Sequence, residues 1–340
     1  MAQRADEWST RELSAVVKEF GLHPLAFTPV RRAWRAETED GPRFLKSTSL
    51  SLPELLFVAA AVDYLRRRGE PAPRWETGRH GLPWVERGGR RFVLSEWVEG
   101  REASFPEAAD LRRAAEAVAR LHRHGEGFQP PAESWMRVEW GRWPERFGRR
   151  SVQLEAFREA ARQARDAFGR GYLALWPYHA VQARQALALL ARSAYPEISA
   201  AGRRCSVICH HDLSERNFLV GPDGVRLIDF DYCLQDLAVH DLANLLQRLA
   251  QATGWEVQAA GEALSVYERV EPLTREERLL LAALLRWPHR YWLLGWQRYV
   301  ERLPWPEERW LDALDSRLEE AERREGFLAD LQAGFGLPRM

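Results

Sequence analysis

The chain has 340 residues, 49 of them Lys or Arg and 49 Asp or Glu, so its formal net charge is zero. That balance argues against bulk attraction to nucleic acid or to an anionic membrane surface, and no apolar run approaches the roughly 20 residues of a membrane-spanning helix. A hydrophobic fraction of 46% is ordinary for a globular protein, and the length suffices for a two-lobed molecule.

The opening MAQRADEWSTREL has no apolar stretch of the kind a secretory signal needs. Residues 9–20 form an amphipathic helical pattern, with Ser9 or Thr10 as cap and Gly21 as stop. Residues 25–46 read as strands, with Arg32–Thr38 and Arg43–Lys46 flanking the turn at 39–42. Ser51–Arg68 reads as a helix that Ser51 caps and Gly69 ends. A second hairpin, Leu82–Glu86 and Arg91–Trp97, turns at Gly88-Gly89. The first lobe is therefore placed at residues 1–98, small and β-rich, and the second at 99–340, mostly helical.

Within the second lobe, Glu107–His124 is an alanine- and arginine-rich helix, and 126–147 is expected as loop. Ser151–Phe168 and Tyr178–Ser193 show helical periodicity. Val207–Asp229 reads as strand, loop and strand, and Asp241–Leu331 as helices broken near Gly254, Pro272, Pro288 and Pro304. The tryptophans and tyrosines from Trp287 to Trp310 recur at helical spacing, which assigns most of them to the core. The fold class is α+β, of two-lobed plan.

The basic residues are lopsided: Lys18 and Lys46 are the two lysines, and the other 47 are arginine. Asn217 and Asn244 are likewise the two asparagines. Where lysine or asparagine occurs against such a background, its particular chemistry carries weight. Val207–Leu246 contains an H-x-D-x4-N run, His210, Asp212 and Asn217, followed by an apolar strand ending in Asp229-Phe230-Asp231. Phosphoryl transfer needs such groups: a carboxylate to orient a hydroxyl, and oxygen ligands for magnesium. Asp212 is the candidate catalytic carboxylate, and Asn217 and Asp229 are the candidate metal ligands. Lys46 suits phosphate as a point charge.

His210 is read as a scaffold for the loop, Asp231 as a further metal contact, and Asp241 as a helix cap or a tie to the loop. Glu54 completes a capping box with Ser51 and is also the nearest acid to steer Lys46. A zinc site from Cys205, Cys209, His210, His211 and Cys233 is disfavoured, because Cys205 and Cys209 on a strand would stand about 13 Å apart. Three cysteines in so long a chain make no disulfide framework, which predicts a reducing, cytoplasmic setting.

HHDLSERN, LIDFD and DLAVHDLANLL together resemble the aminoglycoside phosphotransferase and choline kinase-like superfamily. FLKSTSLSLPELLFVAAAVDYLRRRG, FVLSEWVEGR, GRWPERF and DFDYC are similar to its spore coat protein S branch. The resemblance implies a bilobal protein-kinase-like fold with ATP and Mg2+ as cofactors, and Glu96 to Val98 as a hinge for adenine. It implies a small-molecule hydroxyl as acceptor and makes spore coat proteins candidate partners, with the spore coat a second candidate location. One departure stands out: Phe27–Arg35 contains no glycine, so no glycine-rich loop lays bare amides over the phosphates.

Overall fold

The computed structural model describes residues 8–201 and 206–336. In chain order, the first part holds Thr10–Glu19 (α1), Pro24–Val30 (β1), Ala33–Thr38 (β2), Arg43–Thr48 (β3) and Leu52–Arg67 (α2). Val85–Arg87 (β4), Arg90–Glu96 (β5), Arg101–Glu102 (β6) and Ala108–Gly125 (α3) follow. Then come Trp143–Ala164 (α4), Ala167–Arg192 (α5), Tyr195–Ala201 (α6), Ser206–Cys209 (β7), Phe218–Gly221 (β8), Gly224–Leu227 (β9) and Leu234–Leu237 (β10). The chain closes on helices Ala238–Ala252 (α7), Val257–Val270 (α8), Arg275–Arg286 (α9), His289–Tyr299 (α10) and Glu307–Phe335 (α11).

Contacts sort these elements into two compact units that do not divide the chain at one point. The first gathers the residues up to Ser104 with 117–138 and 207–235; the second gathers 105–116, 139–206 and 236–340. The first unit is built on an antiparallel sheet of order β1-β2-β3-β5-β4. Its pleat turns Leu45 and Leu94 to one face, where they are fully buried with Val16, Trp34 and Phe92. Each such side chain contributes about 1.5–3 kcal/mol on burial. Lys46, next to Leu45, points to the opposite face by the period-two alternation of a strand. A second small sheet, β6-β8-β9, pairs Arg101 with Val220 and Val220 with Val225.

Helix ends follow local chemistry. Ser9 caps α1 and forms a reciprocal capping box with Glu12. Gly125 ends α3 against β7 so closely that a Cβ there would lie 2.8 Å from the Ile208 nitrogen, so the site tolerates no side chain.

Two sequence expectations are corrected here. Residues 126–147 are not all loop: Ala132–Arg137 is a 3-10 segment, and α4 starts at Trp143 with Pro144 in its first turn, where proline's missing N–H costs nothing. The break expected between Phe168 and Tyr178 lies instead at Arg165-Asp166. Arg165 is left-handed, and Asp166 caps α5 by accepting from the Gly169 N–H at 2.6 Å. Pro177 is carried inside α5.

In the second unit, Trp287, Tyr291, Trp292 and Trp310 are core residues. Among the described residues, no helix is long and apolar enough to cross a membrane.

Candidate active site

Every group of the site described here belongs to the first unit. After β7 the chain enters a loop whose scaffold is His210, a fully buried residue. Its Nδ1 accepts the Asp212 backbone N–H at 3.3 Å, so Nε2 carries the proton and donates to the Ile228 carbonyl at 2.9 Å. The Asn217 carbonyl accepts the Ile228 N–H at 3.0 Å. The loop is thereby tied to the residue that precedes Asp229.

Asp212 and Asn217 meet directly. The Asn217 amide nitrogen donates to the Asp212 carbonyl at 2.8 Å and to its Oδ2 at 2.9 Å. A carboxamide that spends its N–H groups this way keeps its oxygen for a cation. Arg216 lies 3.5 Å from the same Oδ2.

Asp229 has φ 63°, a left-handed conformation uncommon outside glycine. Strain held at such a position marks a side chain that must be aimed. The Lys46 ammonium donates to Asp229 Oδ1 at 2.8 Å and to Asp231 Oδ1 at 2.5 Å. Burial opposes the charge on Lys46, but Asp231 and then Asp229 outweigh it and raise its pKa. Burial likewise works against the Asp229 carboxylate, and Lys46 reverses that and holds its carboxyl below the usual range.

Glu54 does not steer Lys46. Its carboxylate accepts from the Ser51 N–H at 2.9 Å and hydroxyl at 2.8 Å, and from Arg137 Nη2 at 2.9 Å. Its position in the first turn of α2 explains this: the cap lies nearer than the ammonium. Arg137, which sequence reasoning missed, also donates through Nη1 to the carbonyls of Asp231 at 2.7 Å and Cys233 at 3.1 Å. One guanidinium thus joins α2 to the backbone after Asp229. No local signal marks it among so many arginines.

Glu96 ends β5. Its carboxylate accepts from Arg226 at 2.8 Å and from the Arg74 N–H at 3.2 Å, and Val98 just beyond is buried. The β1–β2 turn is two residues long, with Arg31 at φ 58° and paired with Glu102. Asp241 falls outside this unit, fully buried in the first turn of α7. The cap of that helix is Leu237, not Asp241. Cys205, weighed for a metal site, lies outside the described residues.

The model of the phosphotransferase enzyme family matches residues 30–273. Spore coat protein S of Bacillus subtilis (strain 168) is 23% identical over 304 residues, 88% of this chain and 87% of that protein. Homoserine kinase of Caulobacter sp. (strain K31) is 28% identical over 256 residues, 74% of this chain and 68% of that enzyme. The crystal structure of an aminoglycoside phosphotransferase from Alicyclobacillus acidocaldarius superposes with a TM-score of 0.81 at 24% identity, over 97% of this chain and 98% of that one. That likeness shows the kinase-like α+β fold. The family match spans Lys46, Asp212, Asn217 and Asp229, and the chain belongs to the phosphotransferase enzyme family.

Proposed function

We propose that the protein is an ATP- and magnesium-dependent phosphotransferase that moves a γ-phosphoryl group onto the hydroxyl of a small molecule. The observation that carries this reading is the joint placement of Asp212, held at Oδ2 by Asn217, and of Asp229, aimed at Lys46. In the transfer, the acceptor oxygen forms a bond to the γ-phosphorus, and that phosphorus releases the oxygen bridging it to the β-phosphorus. Asp212 orients the hydroxyl and takes its proton late, since the transition state is loose. Lys46 offers the phosphates a compact positive charge. The residues fit a hard divalent cation: Asn217 and Asp229 are oxygen donors, and Asp231 adds a second carboxylate near Asp229. Magnesium, when bound, offsets the charge of the phosphates. The backbone from Glu96 to Val98 is the segment we assign to adenine.

Thermal shift is the direct test. Millimolar Mg-ATP should raise the melting temperature of the wild type and not that of Asp229→Asn. A wild type that Mg-ATP leaves unshifted sinks the nucleotide site. The homoserine kinase and aminoglycoside phosphotransferase relatives make hydroxylated amino acids and amino sugars the first acceptors to screen.

A second reading has its own observation. The two-residue β1–β2 turn leaves no room for a glycine-rich phosphate loop, and Arg31 is spent on Glu102. Together with the similarity to spore coat protein S, this favours a coat-associated protein that binds nucleotide weakly or does not turn over. A stabilising Mg-ATP shift without transfer to any screened acceptor would support it.

A further inference from the structure

In the second unit, α4 repeats arginine on one face. Arg142 precedes the helix, and Arg146 and Arg150 follow at intervals of four, so their guanidinium groups stack along one side. Like charges at that spacing repel unless something absorbs them. Glu139 serves two of the three, at 4.0 Å from Arg142 and 3.4 Å from Arg146. Arg146 Nε and Nη2 are buried with no hydrogen-bond partner. Arg150 has no carboxylate within ion-pair distance among the described residues, and its guanidinium lies 4.3 Å from the Trp292 ring centre.

The surroundings do not supply the missing charge. His289 stacks beside Trp292 with ring centres 5.7 Å apart. Burial, and then Arg150, Arg146, Arg248 and Arg290, push its pKa down to about 3, so it stays neutral. Arg290 is matched by Glu320 at 2.9 Å, and Arg248 donates to Asn244 at 3.1 Å. Asp236 also faces Arg146, but burial pushes its carboxyl up to about 7, and it accepts from the Trp143 indole and the Leu237 N–H. Two guanidinium groups therefore stand incompletely compensated beside an aromatic shelf.

We infer that Arg146 and Arg150 form a binding site for a phosphate dianion, with Arg150 held in place by the Trp292 ring beneath it. The donors match in kind: the Nε and Nη2 edge of Arg146 has no partner, and such a guanidinium edge pairs with two oxyanion oxygens. The charge matches as well, since two positive groups suit a dianion better than a single carboxylate. The inference is independent of the Asp212 site, because it uses none of that site's residues.

Isothermal titration of the full chain with inorganic phosphate tests it. Wild type should show saturable single-site binding, weakened at least about tenfold in Arg146→Gln/Arg150→Gln. Arg149→Gln, whose guanidinium instead pairs with Glu145 on an exposed face, should bind as wild type does. Should the double variant fail to fold, NMR of the wild type serves: the His289 ring signals, assigned with His289→Gln, should move with phosphate along the same binding curve. A glucose 6-phosphate arm distinguishes sources, tighter binding pointing to a phosphorylated small molecule and equal binding to free phosphate. No saturable binding at millimolar phosphate, unchanged affinity in the folded double variant, or unmoved His289 signals overturn the site.

Discussion

At the scale of single residues, the Lys46 ammonium between Asp229 and Asp231 is the group with most depending on it. Replacing it with methionine leaves two carboxylates facing one another with nothing between them. Discounted for the exposure of Asp229, whose side chain is 42% accessible, the expected loss is about 1–3 kcal/mol at neutral pH. The sign of its pH dependence follows from Asp229. A carboxyl held below its usual pKa lends stability that is present at neutral pH and lost as the pH falls through its folded value. Urea melts of Lys46→Met and wild type should therefore converge toward acid; a gap that widens there contradicts the pairing. Asp212 calls for a different measurement. Asp212→Ala should cut any transfer found in the acceptor screen by roughly a hundred- to ten-thousand-fold, while the Mg-ATP thermal shift persists. Equal rates in variant and wild type would remove Asp212 from its proposed role.

At the scale of elements, Arg137 is the piece with the widest reach. It lies in the 3-10 segment before α4 and holds both the first turn of α2 and the backbone carbonyls after Asp229. Arg137→Ala removes the cation from Glu54, which keeps Ser51 as donor, and one donor each from the carbonyls of Asp231 and Cys233, which should cost about 2–4 kcal/mol. We also expect kcat to fall by more than the apparent affinity for Mg-ATP, because Asp229 is displaced rather than removed. Glu54→Gln, which keeps the shape and removes the charge, should be milder on both counts. Comparable effects from Arg137→Ala and an exposed substitution such as Arg149→Gln would mean the clamp does nothing.

The same residues show what a sequence can and cannot convey. His210, Asp212 and Asn217 sit within eight positions, so a local motif captures them. Lys46 is legible through the rarity of lysine. The Lys46–Asp231 bond spans 185 positions and the Arg137–Asp231 contact 94, and neither separation leaves a local trace. Helix ends behaved similarly. Ser9, Ser51 and Gly69 announce themselves, whereas the start of α4 at Trp143 hides among prolines and glycines, and Pro177 suggests a break that packing overrides.

For the molecule as a whole, stability should depend on pH through groups buried in the second unit. Burial lowers His179 to about 2 and His289 to about 3. Both take up protons near 6.5 when unfolded, so the native state binds fewer protons below that value and stability rises with pH up to it. Burial raises Asp236 to about 7, which works the other way: its contribution is full below about 4 and is lost as pH rises to about 7. Between those limits two histidines outweigh one aspartate, and the two effects cancel only near pH 7, where all three groups finish titrating. Calorimetry should therefore show the melting temperature rising with pH and levelling off near pH 7. Asp236→Asn should steepen that rise between about pH 4 and 7, and a profile identical to wild type would show that Asp236 is ionised in the folded protein.

The pairing of Lys46 also turns the chain into its own reporter. Of its two lysines, Lys18 is exposed on α1, whereas Lys46 is enclosed and its pKa raised. Only a deprotonated amine attacks an acylating reagent, so Lys18 should label quickly and Lys46 slowly. Peptide mass mapping then yields a ratio with an internal standard. Anything that draws Asp229 or Asp231 away from the ammonium changes that ratio, which reads out the state of the site without a known acceptor or a measurable turnover.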